Sequence, residues 1–506
     1  MKLGRGVPRA VWLLVGLHGA LLALYSVSFA PFRGPDEPQH IDLVRYVRSE
    51  REYPKYDERH LGVPIWNAFG IVRFDVPAVR SRDLPEEAAP PRPARPGFDE
   101  LGSTRDVIAD EANQLPSHPP LYYALAAAAS YGAIELWDGI SFDQEVAFLR
   151  LLGGLMALPF PLLAWATARR LGAGWNVGLA ASAATLAVPQ FHHIGASVTN
   201  DGLLNLLVGV ATLLVARIAT GDRSWRVAVL VGLVSGLALL TKAFALFMPL
   251  WILLAFALAV KRGWTWRAAA PRLLVAWGLA FAGGGWWWLR NLIVFGQLQT
   301  GIKLLDPAPA GFEPDPTWWL GRYFTLIPRR FWGSFGWFDV SLPSVVAFAA
   351  TAALVGAVLY GLLRAGPRGL DLLLMLIPAG AIAAMVAIGA YQGYVRTSFD
   401  EGLQGRYLFP GLVGLMVSAA WGLRWKWAPL AVLAFGAAMQ ATALATILDF
   451  YWGGAGPLEE AAALVAWSPW PPAAMGAGAL VLVAVTLLTV VQLRREAVPE
   501  GPVAAP

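Results

Sequence analysis

The sequence predicts an all-α, polytopic membrane protein, and the composition and the spacing of apolar runs are the observations that predict it. Of the 506 residues, 57% are hydrophobic and only 14% are charged, whereas soluble proteins average about a quarter charged residues. Apolar runs of about 20 residues, the length that crosses a bilayer as a helix, recur along the chain. The absence of cysteine excludes a disulfide framework and a cysteine nucleophile. We expect one integral-membrane domain over 1–506.

Twelve apolar segments are predicted to span the membrane. The first, Val11–Ala30, follows a basic N-terminus but precedes no small-residue cleavage motif, so we expect a retained helix. The other predicted spans are 148–168, 176–195, 202–220, 226–241, 243–260, 272–289, 343–363, 371–391, 406–423, 428–447 and 473–492. One more apolar segment, Pro119–Trp137, is expected to be an interfacial or re-entrant helix. If it spans, the count becomes thirteen and the later loops change sides.

The charges of the predicted loops orient these spans. Loops on the side of the N-terminus carry 18 of the 39 Lys and Arg residues but only four of the 34 acidic residues. Because short cytoplasmic loops are enriched in cations, both termini are predicted to be cytoplasmic, including a short tail over 493–506. The net charge of +5 is then a signal of topology, and we do not expect nucleic acid as a partner.

Two predicted external segments are long. The first, 31–147, is rich in charge and proline, and the second, 290–342, carries many Trp and Phe residues. Loops of this length usually carry function. Aromatic residues at this density are typical of a membrane-interface belt, and also of platforms for sugar rings or lipid.

An acidic turn follows the first helix. Gly34-Pro35 is a turn signal, and a short helix is expected from Asp36 to about Arg48. Asp36 can cap this helix, and Glu37 can complement its dipole. The same carboxylates, with His40 one helical turn later, could instead supply a general base or ligands for a divalent metal ion. Chemistry alone leaves these interpretations open.

The motif that contains this turn resembles the acidic motif of the GT-C fold glycosyltransferases. These are polytopic enzymes that use polyprenyl-phosphate sugars, such as protein O-mannosyltransferases and the aminoarabinose transferase of lipid A. Further similar blocks follow in the same order at 117–123 (SHPPLYY), 148–151 (FLRL), 168–171 (ARRL), 199–202 (TNDG), 236–242 (GLALLTK), 288–291 (WLRN) and 404–407 (QGRY). The series covers about residues 10–420 and resembles most a less characterised bacterial branch.

The resemblance implies roles for three carboxylates. Asp36 would take the proton from the acceptor hydroxyl, and Glu37 would share that work. Asp201 would help to hold a metal ion or the acceptor, although an Asp at the start of a span can also simply cap it. A divalent cation, Mg or Mn, is a candidate cofactor, and Asp36, Asp201 and His40 are its candidate ligands.

Several other residues are predicted to bind substrate. Lys242 is costly to bury in a membrane and a lipid phosphate would be a natural partner, although it could also reach the interface. Arg290 and Arg406 are candidates for the departing phosphate, because a guanidinium binds phosphate oxygens in bidentate fashion. The remaining predicted substrate contacts are His40, His118, Tyr122, Asn291 and Tyr407.

These features together predict an integral-membrane glycosyltransferase. It would move a sugar from a polyprenyl-phosphate donor to a glycan, lipid or protein acceptor on the extracytoplasmic side, with inversion. One alternative is a glycan ligase or phosphotransferase with a lipid-pyrophosphate donor. Another alternative is a transporter or flippase, although such proteins place polar sites near the membrane midplane, often between repeats. The sequence shows neither feature clearly.

Overall fold

The computed structural model describes residues 6–72, 92–137, 139–301, 306–453 and 456–497, and most of these residues are helical. The helices in the first half are α1 (Arg9–Val27), α2 (Glu37–Glu50), α3 (Val63–Val72), α4 (Leu121–Leu136), α5 (Phe142–Ala157), α6 (Phe160–Arg170), α7 (Trp175–Ala184), α8 (Pro189–Gly195), α9 (Asp201–Ala219) and α10 (Trp225–Leu239). Those in the second half are α11 (Met248–Lys261), α12 (Trp266–Ala280), α13 (Trp286–Phe295), α14 (Pro316–Trp332), α15 (Ser344–Leu363), α16 (Gly369–Thr397), α17 (Leu412–Ala420), α18 (Ala428–Trp452), α19 (Pro457–Trp467) and α20 (Pro472–Glu496). Two small antiparallel ribbons pair β1 (His60–Gly62) with β2 (Val107–Ala112) and β3 (Ser334–Phe335) with β4 (Val340–Ser341).

Eight helical segments of the described chain are long and apolar enough to cross a membrane. They are Arg9–Val27, Phe142–Arg170, Asp201–Ala219, Ala243–Lys261, Ser344–Leu363, Gly366–Thr397, Ala428–Trp452 and Pro472–Glu496. Only 6% of the most apolar window of α20 is buried inside the protein. A helix that is apolar on every side and unburied needs lipid around it, so the all-α membrane class predicted from the sequence is confirmed.

The other four predicted spans are short or interrupted, so the count of twelve is not confirmed. The span predicted at 226–241 is the 15-residue α10. The other three are broken where Pro or Gly disturbs the helical ladder: 176–195 before Pro189, 272–289 by a π-helical turn at Phe281–Gly285, and 406–423 by a 3₁₀ segment at Gly405–Gly411. Apolar composition predicts these segments but does not predict their interruptions.

The cationic loops meet at one end of the helix bundle. Arg170 donates to the carbonyl oxygen of Arg217, and Arg262 pairs with Asp371 in the first turn of α16. The first acidic turn lies at the opposite end, where α1 ends and α9 begins. The cationic loops and the acidic turn therefore lie at opposite ends of the bundle, as expected from their assignment to opposite sides of the membrane. Which end faces the cytoplasm stays a prediction.

The described part of the first long loop packs onto this opposite end of the bundle, and residues 73–91 and 138 of the predicted segment lie outside the described residues. Arg45 and Arg48 of α2 both pair with Glu145 of α5, at 2.8 Å and 2.7 Å. Asp42 of α2 accepts hydrogen bonds from Arg59 and from Asn113 of the β1–β2 region. These buried contacts hold α2 and the segment around Asn113 in a fixed relation.

The segment predicted as an interfacial or re-entrant helix forms α4. Helix α4 packs against α2 and α5. Its 16 residues would extend about 24 Å, less than the hydrocarbon core of a bilayer, which is about 30 Å thick. Its placement at the membrane surface stays a prediction.

The second long loop contains the amphipathic helix α14 and the β3–β4 ribbon. The ribbon is anchored where the backbone N–H of Ser334 donates to Gln190, at 2.8 Å, and where Tyr451 donates to Asp339, also at 2.8 Å. The indole N–H of Trp337 donates to the carbonyl oxygen of Phe32, at 3.0 Å, in the turn after α1. The two predicted long loops therefore meet beside the acidic turn.

Close helix packing fixes the end of α10. A Cβ placed on Gly284 would lie 2.2 Å from the carbonyl oxygen of Gly236, so only glycine permits this approach of the two backbones. The next turn of chain carries Lys242. Its position is therefore set by a tightly packed helix pair rather than by a loose loop.

Candidate active site

The turn after α1 is strained and tightly packed. Phe32 and Asp36 have φ angles of 70° and 57°, in the left-handed region that non-glycine residues rarely adopt. A Cβ on Gly34 would lie 3.0 Å from the side chain of Ser197, so the turn is pressed against the segment that leads into α9. Such strain costs on the order of 1–3 kcal/mol and persists where surrounding contacts enforce it, often at functional sites.

Asp36 occupies the cap position of α2 without capping it through its side chain. Its carboxylate instead accepts hydrogen bonds from Arg406, at 3.1 Å, and from Gln114, at 3.4 Å. The Asp36 side chain is 30% exposed. The simple capping interpretation is therefore wrong for Asp36, because its carboxylate contacts Arg406, which is distant only in the sequence, and not the backbone N–H groups at the start of α2.

Glu37, which the sequence placed beside Asp36 in the chemistry, points elsewhere. It is fully buried and pairs with Arg150 of α5 through both carboxylate oxygens, at 2.7 Å and 2.8 Å. The same carboxylate accepts from the backbone N–H groups of Gly34 and Val198, each at 3.1 Å. Adjacent residues on a helix point in directions about 100° apart. We therefore assign Glu37 to holding the turn and leave it out of the chemistry.

Asp201 lies between two cations. Lys242 donates to Asp201, at 2.5 Å, and to Asn200, at 3.1 Å. Arg406 Nε lies 3.7 Å from the second oxygen of Asp201, and its other terminus reaches Asp36. These side chains come from α9, from the end of α10 and from the 3₁₀ segment before α17. Asp201 thus orients both cations, and no side-chain cap of α9 is formed.

A cavity of about 260 Å³ opens beside this cluster. Its described lining comprises Asp36, His40, Gln114, Leu115, His118, Thr199, Lys242, Ala243, Phe244, Gln299, Gln404, Arg406 and Tyr407. Asp36 is the acidic residue of this lining, while the Asp201 carboxylate lies behind the two cations. The volume is near the lower limit for small-molecule pockets, about 300 Å³. It therefore suits a small head group rather than a polymer.

Five predicted substrate contacts line this cavity together: His40, His118, Lys242, Arg406 and Tyr407. The ring of Tyr407 packs on that of Phe244, with centroids 4.8 Å apart, and Lys242 Nζ lies 5.2 Å from the Tyr407 centroid. Residues separated by more than 360 positions in the chain are thus brought to one wall. Their roles toward substrate stay predictions.

Three predicted substrate contacts lie outside the described lining. Tyr122 is buried in the wall of α4, with its ring against the edge of His40. Arg290 is exposed and packs its guanidinium over Trp287. Asn291 donates to the carbonyl oxygen of Leu298, which precedes the lining residue Gln299. Arg290 is therefore not part of the described lining, whereas Tyr122 and Asn291 contact residues that belong to it or adjoin it.

The sequence interpretation missed three glutamines and one aromatic residue of the lining. Gln114, Gln299 and Gln404 come from three separate loops, and Phe244 follows Lys242. Gln404 stands in the quoted QGRY block, and Gln114 lies three residues before the start of the SHPPLYY block. Their nearness to these blocks is the signal that could have found two of them. Nothing near Gln299 in the sequence marks it.

The described residues do not form a metal-binding set. They contain no group of three or more His, Asp or Glu side chains that could share an ion. Among the candidate ligands, Asp36 and Asp201 are engaged by Arg406 and Lys242, and Nδ1 of His40 lies 3.1 Å from the hydroxyl of Tyr123. A divalent cation would have to displace both side-chain cations. The donor set therefore does not fit a resident metal ion.

Both cavity histidines are kept neutral by their surroundings. Burial, and then the charge of Lys242, lower the pKa of His118 to about 3 and lower that of His40 well below its ordinary value. Neutral imidazole can donate one hydrogen bond and accept another. These two side chains are thus suited to contacts with hydroxyl groups rather than with anions.

The depressed pKa of His118 predicts a dependence of stability on pH. The unfolded chain binds a proton at His118 near pH 6.5, whereas the folded protein binds it only near pH 3. Protonation therefore favours the unfolded state progressively as the pH falls below about 6.5. We expect the thermal midpoint of the purified protein to fall between about pH 7 and pH 5, and to fall less in H118N. Equal pH dependence of the two proteins would contradict this.

Several solved structures are similar to this one. ArnT from Cupriavidus metallidurans in its apo state is 15% identical, with a TM-score of 0.49 over 96% of this chain and 77% of that chain. The same protein bound to undecaprenyl phosphate is 14% identical, with a TM-score of 0.46 and the same coverage. An oligosaccharyltransferase from Archaeoglobus fulgidus is 11% identical, with a TM-score of 0.41 over 91% of this chain and 56% of that chain. What the chain does is inferred from its own residues.

The family of the chain is established by a sequence match. Comparison with curated proteins gives no significant match. A family model described as "Predicted membrane protein (DUF2142)" matches residues 20–415, more than half of the chain. Asp36, Asp201, Lys242 and Arg406 all lie inside the matched region. The chain therefore belongs to the DUF2142 family of membrane proteins.

Proposed function

We propose that the protein is a membrane glycosyltransferase that moves a sugar from a polyprenyl-phosphate donor to a hydroxyl group of a glycan, lipid or protein acceptor. The observation that carries the proposal is the meeting of one accessible carboxylate, Asp36, with two buried cations, Lys242 and Arg406, at one small cavity. A carboxylate can remove the acceptor proton, and the cations can stabilise a phosphate leaving group. The GT-C resemblance of the sequence supports the same reaction.

The proposed reaction is a direct displacement. The acceptor oxygen attacks the anomeric carbon while its proton passes to the carboxylate of Asp36. The bond between the anomeric carbon and the phosphate oxygen breaks, and polyprenyl phosphate leaves with that electron pair. Attack from the face opposite the leaving group inverts the anomeric centre.

Arg406 offers a leaving group hydrogen-bond donors that no described residue fills, although its Nε lies 3.7 Å from Asp201. Within the described chain, Arg406 Nε and Nη1 are buried without a hydrogen-bond partner. An unpaired buried donor is costly, and a phosphate oxygen would satisfy it with a charge-assisted hydrogen bond. Lys242 adds a second positive charge, which Asp201 holds at the cavity wall. In this proposal Asp201 is a positioning residue, because its carboxylate is almost completely buried.

The position of the cavity also suits a lipid-linked donor. The cavity lies at the end of the bundle opposite the cationic loops, which we propose is the extracytoplasmic side. A polyprenyl chain can remain in the bilayer while its phosphate and sugar reach this end of the helices.

Transfer in reconstituted vesicles tests the proposal. The full-length protein is placed in liposomes with a radiolabelled polyprenyl-phosphate hexose and a membrane extract as acceptor. We expect label to move into a product that resists the mild acid that cleaves the donor. Movement of intact donor across the bilayer without a new glycosidic bond would instead establish the transporter or flippase alternative. With a polyprenyl-pyrophosphate sugar as the donor instead, transfer of the sugar together with one phosphate to the acceptor, which leaves polyprenyl phosphate, would establish the phosphotransferase alternative.

The absence of a fitting metal-ligand set predicts resistance to chelation. We expect EDTA to leave the transfer rate of the vesicle preparation unchanged within twofold, because Lys242 and Arg406 supply the charge that a metal ion would otherwise supply. Loss of transfer in EDTA, restored by Mg²⁺ or Mn²⁺ and by neither Na⁺ nor K⁺, would contradict this assignment.

A further inference from the structure

We infer that the cavity selects an uncharged, hydroxyl-bearing sugar over a cationic amino sugar, and that Gln404 together with His118 reads its hydroxyl groups. This inference rests on the proposed function and names the sugar class of its donor. It comes from lining residues that the proposed displacement does not use. Three glutamines and two neutral histidines surround one carboxylate and two cations in this cavity.

Two lining side chains have buried polar atoms that await a partner. Within the described residues, Oε1 of Gln404 and Nδ1 of His118 are buried and form no hydrogen bond. Gln404 lies two residues before Arg406, whose guanidinium reaches Asp36. A ligand in the cavity that these residues line would thus have both unpaired side chains on its wall. An unpaired buried polar atom costs free energy that a correctly placed ligand group recovers.

The chemistry of these groups fits hydroxyls better than an ammonium. A glutamine side chain offers both a donor and an acceptor, and so does a neutral imidazole. A sugar hydroxyl also donates and accepts, so it can satisfy either partner. An ammonium group has three donors and no acceptor. It could therefore donate to the unpaired Oε1 of Gln404, but it could not accept a hydrogen bond from any N–H group of the lining.

The charges of the site also disfavour a cationic sugar. Asp36 is paired with Arg406, and Asp201 with Lys242, so each carboxylate at the site already has a cation. An ammonium group would have to compete with these cations for Asp36. It would also occupy the carboxylate that the proposed reaction needs as its base. An uncharged sugar neither competes with these cations nor occupies the Asp36 carboxylate.

The other two glutamines shape the same lining. Gln114 donates to Asp36, and it follows Asn113, which is fixed to Asp42 of α2. Gln299 follows Leu298, whose carbonyl oxygen is held by Asn291. Both glutamines are therefore placed by buried contacts of their neighbours. A site built to hydrogen-bond hydroxyl groups rejects ligands that lack them, because its polar groups are then left unpaired.

Binding to the purified full-length protein tests the inference without turnover. The probes are polyprenyl phosphate, polyprenyl-phosphate glucose and polyprenyl-phosphate 2-amino-2-deoxyglucose, titrated calorimetrically in one detergent. We expect the glucose lipid to bind at least tenfold more tightly than the amino-sugar lipid. We also expect Q404L to weaken the glucose lipid about tenfold while leaving polyprenyl phosphate unchanged. The matched control is Q392L, which alters an exposed glutamine of α16 and should change neither affinity.

The outcomes separate this inference from the proposed function. If the amino-sugar lipid binds as tightly as the glucose lipid, or more tightly, the inference is overturned while the lipid-phosphate site stands. If Q404L weakens polyprenyl phosphate as much as the glucose lipid, Gln404 does not read hydroxyl groups, and the inference is overturned in the same way. If none of the three lipids binds, the proposed function fails and the inference fails with it.

Discussion

The D36N protein is expected to bind a polyprenyl-phosphate sugar as the wild type does and to lose transfer almost completely. General-base catalysis contributes about 10²–10⁴-fold to a rate, so we expect kcat to fall by about 10³-fold. Asn keeps the size of the side chain and can still accept hydrogen bonds from Gln114 and Arg406, but it cannot hold the acceptor proton. Asp36 is also the acidic residue of the described cavity lining. The measurement is initial transfer rate against donor concentration in reconstituted vesicles.

The control for D36N is D110N, which alters an exposed carboxylate on β2 in the same long loop. D110N should transfer at the wild-type rate and unfold at the wild-type temperature. Since D36N removes one partner of a pair with Arg406, its thermal midpoint must be measured in parallel. A folded D36N protein that keeps more than a tenth of the wild-type kcat would show that Asp36 is not the base.

The E37Q protein is expected to lose stability rather than chemistry. Glu37 is fully buried, and both of its carboxylate oxygens accept hydrogen bonds from Arg150. Its neutralisation therefore leaves the buried Arg150 cation without a counter-charge. Removing one partner of such a pair typically costs about 3–5 kcal/mol. We expect the thermal midpoint of the detergent-solubilised protein to fall by several degrees. The kcat per folded molecule should remain within a few-fold of the wild type.

Two comparisons make the E37Q result specific. E58Q neutralises one partner of the exposed pair Lys55–Glu58 and should leave the thermal midpoint unchanged, because exposed pairs contribute little. The double variant of E37Q with R150M should be more stable than E37Q alone, because it removes the unpaired charge as well. A stable E37Q protein with no transfer would instead place Glu37 in the chemistry beside Asp36.

The contrast between these two neighbouring carboxylates shows what the sequence could and could not predict. The turn signal at Gly34-Pro35 and the apolar run before it predict a helix end followed by a short helix, and α1 and α2 have these positions. No sequence pattern states which of Asp36 and Glu37 faces the solvent side of that turn. The answer depends on Arg150 and Arg406, which lie 113 and 370 residues away from their partners.

The sequence predicted the type and the approximate position of the membrane helices, but it did not predict their interruptions. Apolar length predicts where chain enters lipid, because the cost of exposing polar groups there dominates. It does not predict where a span is interrupted, since Pro189 and the glycines before Trp286 lie within otherwise apolar segments. Close packing, as between Gly236 and Gly284, brings such an irregular segment directly against a neighbouring helix.

The sequence predicted the charged residues of the site, because charges beside apolar spans are unusual. It did not predict the uncharged polar residues of the site. Lys242 and Asp201 attract attention because ionised groups beside apolar spans are costly. Gln114, Gln299 and Gln404 are ordinary polar residues in loops, and only the fold brings them to one cavity. Arg290 fits the same charge argument as Arg406, yet its side chain packs on Trp287 at the surface. The sequence thus identifies candidate site residues, and the packing of the helices and loops determines which of them line the cavity.

The most direct test of the proposed site is a cryo-electron-microscopy structure of the full-length protein in lipid nanodiscs with polyprenyl phosphate added. The proposed function predicts phosphate density in the cavity, with its oxygen atoms within about 3 Å of Arg406 and Lys242, the distance of charge-assisted hydrogen bonds. The polyprenyl chain should leave toward the bilayer, and Asp36 should face the space next to the phosphate. Phosphate bound at the opposite, cationic end of the bundle, with the cavity beside Asp36 empty, would contradict the proposal.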